Sequence, residues 1–241
     1  KTCVRLDRRV VYLGGPSTEQ RCPAGPILGK RRAIVVSPRQ AAPRAAHASK
    51  APAPATGSVS GSVFTGLGFD TCSAPSSKAM AAWAESPFRG VGIYIGGENS
   101  ACSQPNLSAS WVSAQTTAGW HLIPTYVGLQ APTSSCSSCA KLTTVAAATQ
   151  GAAAAEDAVA VATTIGIGAG SPIYFDMESY SPTTSATKAV LTFLEAWTNK
   201  LHELGFASGV YSSSGSGIAD LAAQYGTAYS SPDNIWIANW N

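Results

Sequence analysis

Pro172-Ile173-Tyr174-Phe175-Asp176-Met177-Glu178 is an apolar run that ends in two carboxylates two residues apart. It reads as a buried strand, and alternate side chains of a strand share a face. Asp176 and Glu178 therefore project into one site, about 6.5 Å apart along the chain. Such a pair suits glycoside hydrolysis. One carboxyl is kept protonated to give a proton to the leaving oxygen, and the other, ionised, serves as nucleophile, base or electrostatic stabiliser. The plainer alternative is a strand-end pair that caps a helix or meets solvent.

Outward from this run, strands and helices alternate. Residues 65–70 read as a first strand, and 76–85 as a helix capped by Ser73 or Ser76 after Pro75. A second strand follows at 91–95, then a stretch at 106–118 with Leu107 and Trp111 at i, i+4 spacing, then a third strand at 122–129. An Ala-rich helical region over 141–162 leads into the carboxylate strand, the fourth. Residues 183–204 give the cleanest helix, with Val190, Leu191, Leu194, Trp197 and Leu201 as its apolar stripe and Gly205 as its stop. A fifth strand at 209–212, a helix at 218–225 and a sixth strand at 235–240 complete the pattern.

This alternation predicts parallel βαβ units, in either an open doubly wound sheet or a closed (β/α)8 TIM-type barrel. No phosphate-binding glycine motif follows the first strand, which ends instead in a third carboxylate, Asp70. In a barrel all strand C-termini open onto one rim, so Asp70, Asp176 and Glu178 would face one another across the mouth. Tyr126, Gln130, Tyr211, Trp236, Asn239 and Trp240 fall at the other predicted strand ends as candidate substrate contacts. Their aromatic faces would stack on sugar rings or belong to the core. Gln130 and Asn239 would hydrogen-bond hydroxyls and amides, or cap loops.

The 241 residues are 45% hydrophobic and 12% charged, enough for one large domain and an appendage. Charge divides them. Residues 1–50 carry 11 basic against 2 acidic side chains, net +9, and the remainder 5 against 11, net −6. A basic segment on an acidic domain would hold the protein near an anionic wall polymer or membrane surface, or is simply a solvated basic stretch. Nucleic acid is disfavoured, because that segment has one aromatic, Tyr12, and no recognised binding motif. Residues 1–37 hold two β-rich runs, 9–13 and 33–36, and read as a small module incomplete at its N-terminus; 38–63 read as an Ala/Pro/Ser linker, and 64–241 as the barrel. The chain shows no membrane span and no signal peptide of its own. Six cysteines point to export. Proximity suggests the pairs Cys3 with Cys22, Cys72 with Cys102, and Cys136 with Cys139, out of fifteen connectivities. Zinc at Cys136 and Cys139 is the rival, disfavoured because no second ligand pair follows. No metal or cofactor is expected.

Five motifs carry a resemblance. They are Gly68-Phe69-Asp70-Thr71-Cys72, Gly92-Ile93-Tyr94-Ile95-Gly96-Gly97, Tyr126-Val127-Gly128-Leu129-Gln130, Tyr174-Phe175-Asp176-Met177-Glu178 and Ile235-Trp236-Ile237-Ala238-Asn239-Trp240. In this order they resemble the DUF1906 glycoside-hydrolase-like barrel domains of actinobacteria, similar in turn to glycoside hydrolase family 25, the lysozyme-like muramidases. The resemblance spans residues 64–241 and implies export and a cell-wall carbohydrate site of peptidoglycan type. It maps catalytic roles onto Asp176, Glu178 and Asp70. Glu178 would be the general acid, Asp176 the ionised stabiliser, and Asp70 the residue that positions substrate or tunes the pair. A non-catalytic wall-binding or wall-organising module is the alternative. Six strands instead of eight imply a barrel truncated after strand six, with open edges on the first and sixth strands.

Overall fold

The computed structural model describes residues 4–6 and 64–239. The β-rich runs at 9–13 and 33–36, the linker, the Cys3 and Cys22 pair, and Trp240 lie outside these residues. Seven strands form one sheet in chain order: β1 (Val4–Leu6), β2 (Gly66–Thr71), β3 (Phe88–Gly96), β4 (His121–Tyr126), β5 (Pro172–Met177), β6 (Ala207–Ser213) and β7 (Asn234–Ala238). β1 runs antiparallel to β2, and every later pair is parallel. The crossovers carry α1 (Ser77–Trp83), α2 (Ala109–Thr117), α3 (Ala147–Thr164), α4 (Thr184–Glu203) and α5 (Gly217–Ala223).

Strand order equal to chain order, with right-handed crossovers, puts all helices on one face of the sheet. Side-chain packing agrees. One core cluster joins Val91, Leu122, Phe175 and Val210 of the sheet to Met80, Trp111, Ala158, Phe193 and Leu221 of the five helices. A second, smaller cluster holds Ile123, Tyr174, Tyr211, Trp236 and Ala238, all from strands and in the opposite pleat phase. A doubly wound sheet, with helices on both faces, is therefore excluded. The six parallel strands form a curled part-barrel, helices outside and the second cluster inside.

The outer core rests on α3 and α4. α3 is alanine-rich on its buried side, with Ala154, Ala155, Ala158 and Ala162 all covered, so α4 packs close to it. At Gly151 a Cβ would lie 2.2 Å from the carbonyl oxygen of Phe193, an approach that only glycine permits. α4 begins at the Thr183 cap, whose hydroxyl accepts from Ala186 N–H, and stops before Gly205, where φ is +81°.

Three expectations need correction. The first parallel strand does not have an open edge, because Val4 pairs opposite Gly68 and Leu6 opposite Gly66. An antiparallel partner drawn from far upstream leaves no trace in a βαβ spacing. The helix expected from residue 141 starts at Ala147, because Lys141 bridges to Gln130 and the Gln150 side chain accepts from Thr143 N–H at 2.8 Å. β4 ends at Tyr126 instead of continuing to 129: Val127 N–H makes the last rung to the Gly96 carbonyl of β3, and the Val127 carbonyl already accepts from Asn99 N–H in the loop beyond. Among the described residues the far edge of β7 has no strand partner.

Candidate active site

The inner face is built by alternation. β2 directs Asp70 inward, while Phe69 stacks outward on Trp83 of α1 at 4.5 Å. β5 directs Tyr174 and Asp176 inward, with Glu178 just past its end, while Ile173, Phe175 and Met177 join the helix-side core. Register places Asp176 beside Tyr211 of β6, and Tyr211 beside Trp236 of β7. β2 and β5 are separated by two strands, about 14 Å on a flat sheet. Curvature shortens this distance, and the Asp176 carboxyl feels the charges of both Glu178 and Asp70.

The three carboxyls differ in solvation. Asp176 is 4% exposed, and its Oδ1 is buried without a hydrogen-bond partner. Burial first, then the Glu178 and Asp70 charges, push its pKa well above the carboxylate range. Burial also raises Asp70, to about 6, partly opposed by hydrogen bonds to its own backbone and from Tyr94. Glu178 stands exposed at the strand end and is raised more weakly, again through desolvation. Burial thus disfavours ionisation at Asp176, whereas Glu178 meets solvent at the strand end.

Tyr94 of β3 belongs to the same group. Its hydroxyl reaches Asp70 Oδ2 at 3.4 Å, and its pKa is raised by burial and by the charges of Asp176, Asp70 and Glu178. Sequence reasoning did not assign it a role, although the pleat phase that puts Asp70 inward also selects Tyr94. Behind the carboxyls, Trp236 receives Tyr174 at 6.0 Å and Tyr211 at 4.9 Å, both edge-on. Tyr174 lies so close over Gly209 that a Cβ there would be 2.5 Å from its ring.

Of the other expected contacts, Gln130 meets the main chain of Asp176 and Glu178, Tyr211 pairs in register beside Asp176, and Tyr126, Trp236 and Asn239 are engaged elsewhere. Tyr126 faces the helices, is 1% exposed, and donates its hydroxyl to Asp157 of α3 at 2.7 Å. Gln130 is buried and spends its amide on main-chain groups. Trp236, 2% exposed, is covered by its two tyrosines and offers no open face, and its Nε1 is buried without a partner. Asn239 accepts from the Ser214 hydroxyl at 3.2 Å, tying β7 to the loop after β6.

Two disulfides brace the strand C-terminal loops, Cys72–Cys102 between the loops after β2 and β3, and Cys136–Cys139 within the loop after β4. The sulfurs of Cys136 and Cys139 are thus bonded to each other and unavailable to zinc. Among the described residues no group of three His, Cys, Asp or Glu side chains is placed to hold a metal ion. An open groove of about 660 Å³ lies along α4 and α5, lined by Thr187, Lys188, Asp220 and Tyr229 among others, on the helix side of the sheet.

Residues 81–241, more than half of the chain, match the family described as Rv2525c-like, glycoside hydrolase-like domain. The chain belongs to that family. The matched residues of this glycoside hydrolase-like domain include Tyr94, Asp176 and Glu178, whereas Asp70 precedes them. Among solved structures, an uncharacterized protein of B. stearothermophilus is 16% identical with a TM-score of 0.43, over 60% of this chain and 59% of that one. The modular autolysin LytC of Streptococcus pneumoniae is 13% identical with a TM-score of 0.39, over 57% of this chain and 29% of its own. The domain thus spans less than two thirds of either chain. No curated protein matches it. Among the described residues no helix is long and apolar enough to cross a membrane.

Proposed function

We propose that this chain is an exported glycoside-hydrolase-like protein that acts on an amino-sugar polysaccharide of the peptidoglycan type. This reading rests on Asp70, Asp176 and Glu178 lying in the inward pleat phase, Asp176 buried and Asp70 half-buried, with all three raised in pKa. Strongly perturbed carboxyls in a cleft are the equipment of acid/base catalysis. The two disulfides support export. In this scheme Glu178, accessible at the strand end, exchanges a proton with the glycosidic oxygen. Asp176 passes its proton to the neighbouring Glu178 as Glu178 delivers one to the leaving oxygen, so Asp176 is ionised beside the oxocarbenium centre or the attacking acetamido group. Tyr94 and Asp70 hold that charge balance from the other side. The basic N-terminal segment keeps the enzyme near an anionic wall polymer.

The buried, proton-holding state of Asp176 also favours a second reading. A cleft whose innermost carboxyl stays neutral donates hydrogen bonds to sugar hydroxyls and amides without supplying the charge that hydrolysis needs. The protein would then bind wall polymer without cutting it. One experiment separates the two: release of reducing ends from purified peptidoglycan and from simpler β-linked amino-sugar polymers, beside Glu178→Gln and Asp176→Asn. Release that disappears in both variants establishes the hydrolase. Saturable wall binding with no release, lost in Asp176→Asn, establishes the binding module. Neither release nor binding would sink both.

A further inference from the structure

The C-terminal end of β5 loses its neighbour on one side only. β4 ends at Tyr126, and its last pairing with β5 is at Phe175. On the other side β6 continues alongside Asp176 and Met177. The Asp176 carbonyl and the Glu178 N–H on the β4 side therefore meet no strand, and a buried peptide group left unpaired is costly. Gln130 meets both. Its Nε2 donates to the Asp176 carbonyl at 2.8 Å, and its Oε1 accepts from Glu178 N–H at 2.8 Å. In a parallel ladder, one residue of the neighbouring strand donates to the carbonyl before the facing residue and accepts from the N–H after it. The Gln130 carboxamide makes that pair of bonds around Met177.

We propose that Gln130 is the positioning residue of the carboxylate cleft, its side-chain amide standing in for the rung that β4 no longer supplies. This rests on the cleft being the functional site. The amide is itself held. Gln130 is 1% exposed, and Nε2 also donates to the Gly128 carbonyl at 3.1 Å. Its own N–H bonds the Ala140 carbonyl and its carbonyl accepts from Leu142 N–H, both at 2.9 Å. Asn99 adds bonds to the carbonyls of Gly128 and Ala140 and accepts from Ala140 N–H. The loop after β4 is thus a rigid bracket, and Gln130 transmits its position to the two peptide planes that aim Asp176 and Glu178. A glutamine that contacts sugar would need a free amide edge, whereas both functions of this amide are committed to the main chain.

Hydrogen exchange in the near-isosteric, apolar Gln130→Met tests this. The Glu178 amide is expected to exchange on the order of tenfold faster or more, as for loss of one buried hydrogen bond. The amides of Val210 and its β6 neighbours stay as slow as before, and the titration midpoints of the Glu178 and Asp176 carboxyls move. Gln130→Glu supplies a second arm. Its carboxyl, while protonated, offers the same donor and acceptor, so protection of the Glu178 amide persists at acidic pH and disappears as that carboxyl ionises. Unchanged exchange at Glu178 in Gln130→Met, or equal acceleration throughout β4, β5 and β6, would overturn the proposal. Neither measurement needs turnover, so the result stands apart from whether the cleft hydrolyses its ligand. Where turnover is present, kcat falls while KM stays within about twofold, because the ligand's own contacts remain.

Discussion

Outward from β5, Ile173, Phe175 and Met177 are fully covered, with Phe175 against Phe193 at 4.8 Å and Trp197 at 5.2 Å. Inward, alternate residues of the same strand put a carboxyl into nearly equal burial, with one oxygen unpartnered. The outer face gains free energy from every contact it makes. The inner face loses free energy by removing a titratable group from water and retains that group all the same. Stability and chemistry are thus divided between the two pleat phases of one strand. Substitutions on the two sides should change stability in opposite directions.

The largest effect is expected outside. Trp197 is fully buried between Tyr126 and Phe175, so Trp197→Ala should lower unfolding free energy by about 3–5 kcal/mol in urea titration. A loss below about 1 kcal/mol would mean that the outer face is not the main store of stability. Inside, Asp70 has its pKa raised from 3.8 to about 6, so the folded state binds the proton more tightly than the unfolded chain does. Its contribution is complete below the unfolded value and is lost as pH rises through the folded one. Stability should therefore fall by on the order of 2 kcal/mol between pH 4 and 6, a decline that Asp70→Asn flattens. A stability curve that rises over that window in wild type would contradict the buried placement of Asp70.

Asp176→Asn should sharpen the contrast. It removes a group whose ionisation is disfavoured by burial, so unfolding free energy at pH 7 should stay level or rise by about 1–2 kcal/mol while ligand turnover or binding is lost. A marked destabilisation would show that the Asp176 carboxyl is structurally paired. The smallest effect is expected at Tyr126→Phe, which deletes the hydroxyl that donates to Asp157 and should cost about 1 kcal/mol. Wall binding should be unaffected in that variant, and any loss of it would return Tyr126 to the cleft.

The sequence made the outer face legible because packing leaves periodic marks. Of the α4 stripe expected at Val190, Leu191, Leu194, Trp197 and Leu201, all but the half-buried Leu191 lie on the buried face, and the Thr183 and Gly205 caps bound that helix. Asp176 and Glu178 were legible for the same reason, since a two-residue spacing on a strand admits only one shared face. The placement of Tyr126, Trp236 and Gln130 was not legible, because nearness to a strand end does not tell which way a side chain points. Tyr126 falls in the outward phase of β4, and Gln130 lies beyond the strand, where alternation no longer applies. The unequal burial of the two carboxyls was hidden for a different reason. It depends on how much of each carboxyl the fold covers, and D-x-E spacing carries no depth.

A sheet whose spatial order repeats its chain order can grow by accretion. From β2 to β6 each strand pairs with its predecessor on one side and its successor on the other. A strand emerging during synthesis therefore finds its template edge already folded, and none must be threaded between two neighbours that have closed on each other. Contacts remain local for so large a sheet, which favours rapid folding. β1 is the exception, because its partner lies some sixty residues downstream. The first-made strand must wait for β2, and the N-terminal segment joins the sheet only after the barrel wall has begun to form.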